Sequence, residues 1–202
     1  MAVEAGASAL GLVSRMPSGP GVIRDELIAE IAATVPPPIG TFLLTSRQSV
    51  DEIVAQQRFC RTNTIQICDH LASGTHRQLK DALPGISIVQ VIHVTGLESV
   101  DEAASVAEHV DAILLDSGNQ KLAVKELGGT GRTHDWRLSC KIRERVSVPL
   151  FLAGGLTPEN VATAIREVGP FGVDVCSGVR TDGSLDAGKL EQFVRATRRA
   201  SW

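Results

Sequence analysis

Residues 149–169 read PLFLAGGLTPENVATAIREVG. The run 149–154 is apolar at odd and even positions alike, as a strand is when both faces of its sheet are covered. Two glycines interrupt it. Thr157 then offers a cap, Pro158 suits the first helical position, Glu159 falls in the first turn, and Gly169 offers a left-handed stop. The stretch is one complete strand–loop–helix unit.

The same unit recurs in both directions from it. Strands are predicted at 9–14 (ALGLVS), 41–46 (TFLLTS), 64–68 (TIQIC), 87–94 (SIVQVIHV), 112–117 (AILLDS), 149–154 and 172–178 (GVDVCSG). Helical patterns lie between them. VIRDELIAEIAATV stops before Pro36-Pro37-Pro38, and SVDEIVAQQRFC and SVDEAASVAEHV each carry Ser three residues before Glu, the capping-box spacing. Strands alternating with helices build a parallel sheet, either open and doubly wound or closed into a barrel. Even spacing of the units, with glycine and polar residues gathered just after the strands, favours an α/β fold of the (β/α)8 TIM-barrel type. No linker or low-complexity segment divides residues 1–202, so a single domain is expected. Seven strands are found where a barrel has eight, and the shortfall falls before MAVEAGA.

Composition narrows the function classes. At 202 residues and 43% hydrophobic the chain can bury a full core. A net charge of −3 supplies no field for nucleic acid, and 3% aromatic content with no tyrosine leaves little for base stacking. The Arg195, Arg198, Arg199 cluster reads as the solvated end of a last helix. No apolar run approaches the ~20 residues of a membrane span and no leader pattern is present, which predicts a cytoplasmic protein without membrane partners. Cys60, Cys68, Cys140 and Cys176 lack metal-ligand spacing and read as reduced thiols; neither metal nor organic cofactor is expected.

Chemistry concentrates after the later strands. Gly154-Gly155 and Ser177-Gly178 place bare amides in two consecutive loops, a recurrent barrel device for binding phosphate. Asp116 emerges from an apolar strand, where desolvation raises a carboxyl into the acid–base range; the plainer reading is a cap on the Gly118 or Asn119 amide. In KELGGTGRTHDW, Gly128, Gly129 and Gly131 let backbone fold over a ligand and Thr130 supplies a donor, while His134 reads as a structural or capping residue.

The strings VDAILLDSG, GGTGRTHDW, PLFLAGGLTPENV and FGVDVCSGVRTDGSLDAGKLEQF, in this order, resemble the phosphoribosylanthranilate isomerase family of tryptophan biosynthesis. The likeness is strongest over 110–194 and weaker before it. It implies a (β/α)8 barrel and a cofactor-free Amadori rearrangement of N-(5-phosphoribosyl)anthranilate to 1-(2-carboxyphenylamino)-1-deoxyribulose 5-phosphate. Asp116 then resembles the general acid, and Gly154, Gly155, Ser177 and Gly178 resemble the phosphate cradle.

Departures from the family pattern set further expectations. Its first strand, ending in a cysteine that acts as base, precedes the turn matched by AVEAGA, and Met1 stands inside that first helix. Cys68, in Gln66-Ile67-Cys68-Asp69 where the family has Gln-Leu-His-Gly, is then a candidate substitute base. The family's Ser-Pro-Arg region reads MPSGPGVI, with Arg15 upstream as a candidate replacement for the carboxylate-binding arginine; Arg180 stands where a glutamate is usual. An alternative is a phosphosugar-binding barrel with different or no chemistry. Strand 9–14, lacking one neighbour, is an exposed edge through which a homodimer could form, a monomer being the other outcome.

Overall fold

The computed structural model describes residues 1–200. Seven strands follow one another in a single parallel sheet: β1 (Ala9–Val13), β2 (Gly40–Thr45), β3 (Thr64–Ile67), β4 (Ser87–His93), β5 (Ala112–Asp116), β6 (Leu150–Leu152) and β7 (Gly172–Val173). Each pairs with the next in sequence, so β1 and β7 are the edges, and the eighth strand of a closed (β/α)8 barrel has no counterpart among the described residues. All seven predicted strands form, six of them within two residues of their expected bounds; the seventh, expected over 172–178, stops at Val173, and its end becomes a 3-10 turn.

Helices α1 (Ala2–Ala5), α2 (Asp25–Thr34), α3 (Val50–Cys60), α4 (His76–Ala82), α5 (Glu98–Ala107), α6 (Trp136–Arg145), α7 (Val161–Val168) and α8 (Ala187–Arg199) cover the outer face of the sheet. Strand alternation sorts the core into two layers. Ile65, Ile67, Ile88, Ile92, Ile113 and Leu115 point outward against the helices and are fully buried. Val89, Val91, Ala112 and Leu114 point inward, packed with Phe42, Leu44 and Phe151. The parity that turns Leu114 inward also turns Asp116 inward, one step nearer the mouth.

Several helix starts differ from expectation. The capping box forms at Thr75 and Gln78 before α4, not at the two Ser-Val-Asp-Glu segments. Ser49 is the N-cap of α3 but its hydroxyl makes no capping bond. Ser99 lies inside α5, buried, accepting from the Thr95 amide at 3.1 Å and donating to the His93 carbonyl at 3.2 Å. A hydroxyl that is needed to tie down a strand end is not free to cap. The helix predicted from Thr157 begins at Val161, after a turn in which Asn160 accepts from the Thr157 amide at 2.8 Å and donates to the Gly155 carbonyl at 3.0 Å. Its end is as expected, on Gly169 at φ 62°. Beyond β7 the chain adds a short 3-10 turn, Ser177–Val179, and a hairpin of β8 (Arg180–Thr181) and β9 (Ser184–Leu185), neither foreseen from sequence.

Candidate active site

Asp116 ends β5 and is 5% exposed. Burial raises its carboxyl above the usual range, while His93 and the amides of Ser117 and Gly118 pull it part of the way back. The Gly118 amide donates to Oδ2 at 3.2 Å, so the capping expectation and the inward placement both hold. His93, at the end of β4, has Nε2 2.9 Å from the Cys68 carbonyl. A carbonyl only accepts, so Nε2 carries a hydrogen, and the ring turns its other nitrogen, Nδ1, toward Asp116. That Nδ1 is buried without a hydrogen-bond partner and lies 3.9 Å from Asp116 Oδ2. Gly118 is required here, since a side chain on it would strike the imidazole.

A second carboxylate was missed from sequence. Asp174, just after β7, lines the same central cavity of about 190 Å³ as Asp116. Water reaches it there, yet the protein packed around it and the nearby Asp116 charge push its carboxyl up to about 6. The available signal was an aspartate in the middle of the apolar run GVDVC, two residues from Gly172 and thus on the inward face.

The glycine loops interlock. Gly154 and Gly155 take φ of 83° and 62°, and their amides have no backbone acceptor among the described residues. A side chain at Gly155 would strike the Arg132 carbonyl, and one at Gly178 the Leu156 carbonyl. Gly129, Gly154, Gly155 and Ser177, with Asp116 and Asp174, bound a smaller cavity of about 30 Å³, room for about one water. The segment 117–135 closes over the acid: Gly128, Gly129 and Gly131 all have positive φ, a Cβ on Gly128 would sit 3.5 Å from Asp116 Oδ2, and Thr130 Oγ1 is 2.8 Å from Ser117 Oγ. Lys125 pins this segment to β3 through Asp69, 2.6 Å away and 3% exposed. His134, as expected, is structural: Nε2 lies 2.7 Å from Ser139 Oγ, and burial lowers its pKa to about 4.

The remaining candidates are less central. Cys68 is on the wall of the central cavity but only 1% exposed, and burial pushes its thiol far above the ordinary value, with Gln66 the main opposing contact. Arg15 is exposed on the rim of a separate, larger hollow of about 590 Å³, which it shares with Arg47 and Lys125. All four cysteines are free.

Residues 2–196 of the chain match the family model of N-(5'-phosphoribosyl)anthranilate (PRA) isomerase. The chain belongs to this family. It is 36% identical to the N-(5'-phosphoribosyl)anthranilate isomerase of Methanothrix thermoacetophila over 98% of this chain and 90% of the relative, and 37% identical to that of Haloferax volcanii over 97% and 86%. Among solved structures, phosphoribosylanthranilate isomerase from Thermotoga maritima superposes with a TM-score of 0.79 at 28% identity, covering 98% of this chain and 91% of that one. An isomerase in complex with reduced 1-(o-carboxyphenylamino)-1-deoxyribulose 5-phosphate matches with a TM-score of 0.76 at 27% identity, covering 98% and 90%. These relatives identify the seven-stranded sheet as a (β/α)8 barrel architecture. Among the described residues, no helix is long and apolar enough to cross a membrane.

Proposed function

We propose that the protein is a phosphoribosylanthranilate isomerase that converts N-(5'-phosphoribosyl)anthranilate to 1-(o-carboxyphenylamino)-1-deoxyribulose 5-phosphate, a step of tryptophan biosynthesis. The observation that carries the reading is the pairing of Asp116 with Asp174 in one cavity next to the Gly154–Gly155 and Ser177–Gly178 loops.

The rearrangement moves hydrogen from C2 of the sugar to C1, so it needs an acid and a base a few ångströms apart. Two neighbouring carboxyls cannot both ionise easily, and the more deeply enclosed one keeps its proton. Asp116 is that acid. It gives its proton to the ring oxygen, the C1–O bond breaks, and the anilino nitrogen takes up the positive charge as an iminium. Asp174, ionised above pH 6, removes the C2 proton; the electron pair neutralises the iminium and leaves an enolamine. Loss of the enol proton and protonation at C1 complete the ketone, with no net change in atoms or electrons. Cys68 is the weaker choice of base, because a thiol held far above neutrality supplies almost no thiolate.

The phosphate is received by the amides of Gly154, Gly155, Ser177 and Gly178, and Gly128, Gly129 and Thr130 close over the sugar. A cavity of about 30 Å³ is too small for a phosphate, so binding lifts the 130–133 segment off Gly155. Turnover followed by loss of substrate fluorescence tests the reading, with Asp116→Asn expected to abolish turnover while retaining phosphosugar binding. Equal activity in that variant overturns the assignment of the acid; binding of a phosphosugar without turnover in the wild-type chain would favour a binding barrel of other chemistry.

A further inference from the structure

The wall of the central cavity is of two chemical kinds. Part of it carries Asp116 and Asp174. The remaining wall is largely apolar, with Met16, Leu44, Val91, Leu114 and Leu127 among its residues, and among the described residues lining it Arg180 is the only cation. Arg180 belongs to the β8–β9 hairpin and is half-buried. One nitrogen of its guanidinium, Nη1, donates to the Gly183 carbonyl at 2.7 Å and closes the hairpin. Nη2 reaches across the cavity mouth to the 16–21 loop, 3.2 Å from where a Cβ on Gly21 would stand. No carboxylate lies within ion-pair distance of Arg180 among the described residues. A half-buried guanidinium beside an apolar wall, held by the Gly183 carbonyl and paired with no carboxylate, is a carboxylate receptor with part of its ordering cost already met.

Resting on the isomerase reading above, we infer that Arg180 receives the aromatic carboxylate of the substrate, with the anilino ring lying against the apolar wall. The substrate carries negative groups at both ends. Its phosphate goes to the glycine loops, the sugar lies at the carboxylate pair, and the other negative group requires a cation on the wall of that same cavity. Arg180 meets this condition. Arg15 faces the separate hollow, in which Lys125 is paired with Asp69 at 2.6 Å. The glycine at position 21 fits the same account: with φ 84° the backbone accommodates the guanidinium, and a side chain there would crowd Nη2. Cys176, beside Arg180, is pushed up by burial and by the Asp174 and Asp116 charges and drawn back by the guanidinium.

The test is a ligand–protein double cycle by titration calorimetry on the intact chain. The probes are the reduced o-carboxyphenylamino-deoxyribulose 5-phosphate and its phenylamino analogue without the carboxylate. Removing the carboxylate is expected to weaken binding to the wild type about tenfold to a hundredfold, as for a charge-assisted pair, and to leave Arg180→Gln almost indifferent. Arg180→Lys, which keeps the charge but loses the planar fork, is expected to fall between them and guards against a folding defect in the glutamine variant. A full carboxylate penalty retained in Arg180→Gln overturns the proposal, as does equal loss of both ligands. A penalty that vanishes in Arg15→Gln instead assigns the role to the other hollow. Failure of the wild type to bind either probe defeats the isomerase reading itself.

Discussion

Replacing Asp174 by asparagine separates a catalytic carboxylate from one that merely fills space. The folded-state pKa is raised from an ordinary 3.8 to about 6, so the folded protein holds the proton more tightly than the unfolded chain does. Stability from this group is therefore fully present below about pH 4 and is lost as pH rises through 6. A shift of roughly two units at about 1.4 kcal/mol each sets a ceiling near 3 kcal/mol. Because water reaches Asp174 through the cavity, screening cuts this to about 1 kcal/mol. Asp174→Asn removes the charge and keeps the shape. It is expected to be about 1 kcal/mol more stable than wild type at pH 8, or roughly 2–4 °C in Tm for a chain of this length, and indistinguishable from it at pH 4. The same variant is expected to lose about 10²–10⁴ in kcat, the usual contribution of a positioned base. Urea unfolding at both pH values and a turnover assay at pH 8 measure both quantities. A variant less stable at pH 8, or one with unchanged kcat, refutes the argument.

Other outcomes follow from the same geometry. In wild type, kcat/KM is expected to fall about tenfold per pH unit below 6 as Asp174 takes up a proton, which a pH–rate profile reads. Gly178→Ala forces a methyl against the Leu156 carbonyl and is expected to cost about 1–3 kcal/mol of stability and to weaken inorganic phosphate binding, measured by thermal shift with and without phosphate. Ile113→Ala, at a fully buried position between sheet and helices, is expected to cost about 2–5 kcal/mol in denaturant unfolding. Ala9 and Gly11 on the β1 edge are exposed, and pairing of this edge with a second copy predicts a dimer by sedimentation that a proline at Gly11 dissociates; a monomer at all concentrations contradicts the pairing.

Most of the fold was legible because its signals are local. Each strand is a short apolar run bounded by glycine or polar residues, and Asp116 stood out as a charge at the end of one. Helix starts were harder: Ser99 has the right spacing for a cap, but its hydroxyl is taken up by Thr95 and His93, a tertiary demand that spacing does not encode. The sequence marks Arg180 only as a departure from the family pattern and does not mark Asp174 at all, for a related reason. An aspartate just past a short strand and an arginine on a hairpin have no local signature of function; only the assembled sheet brings one toward Asp116 and the hairpin brings the other to the cavity. The glycine pairs were read as anion-binding turns, while their second task, letting loops 128–133, 153–156 and 177–178 touch, required the assembled mouth.

If this barrel mouth performs an acid–base isomerisation of a phosphosugar, Asp116 is the acid on which turnover depends. The direct measurement is the rate at which the chain consumes N-(5'-phosphoribosyl)anthranilate, followed by fluorescence, beside Asp116→Asn at equal folded concentration. Turnover by the wild type and a loss of at least about 10²-fold in the variant are expected. Equal rates in the two proteins, or no turnover by a wild-type chain that binds the substrate, would contradict this expectation.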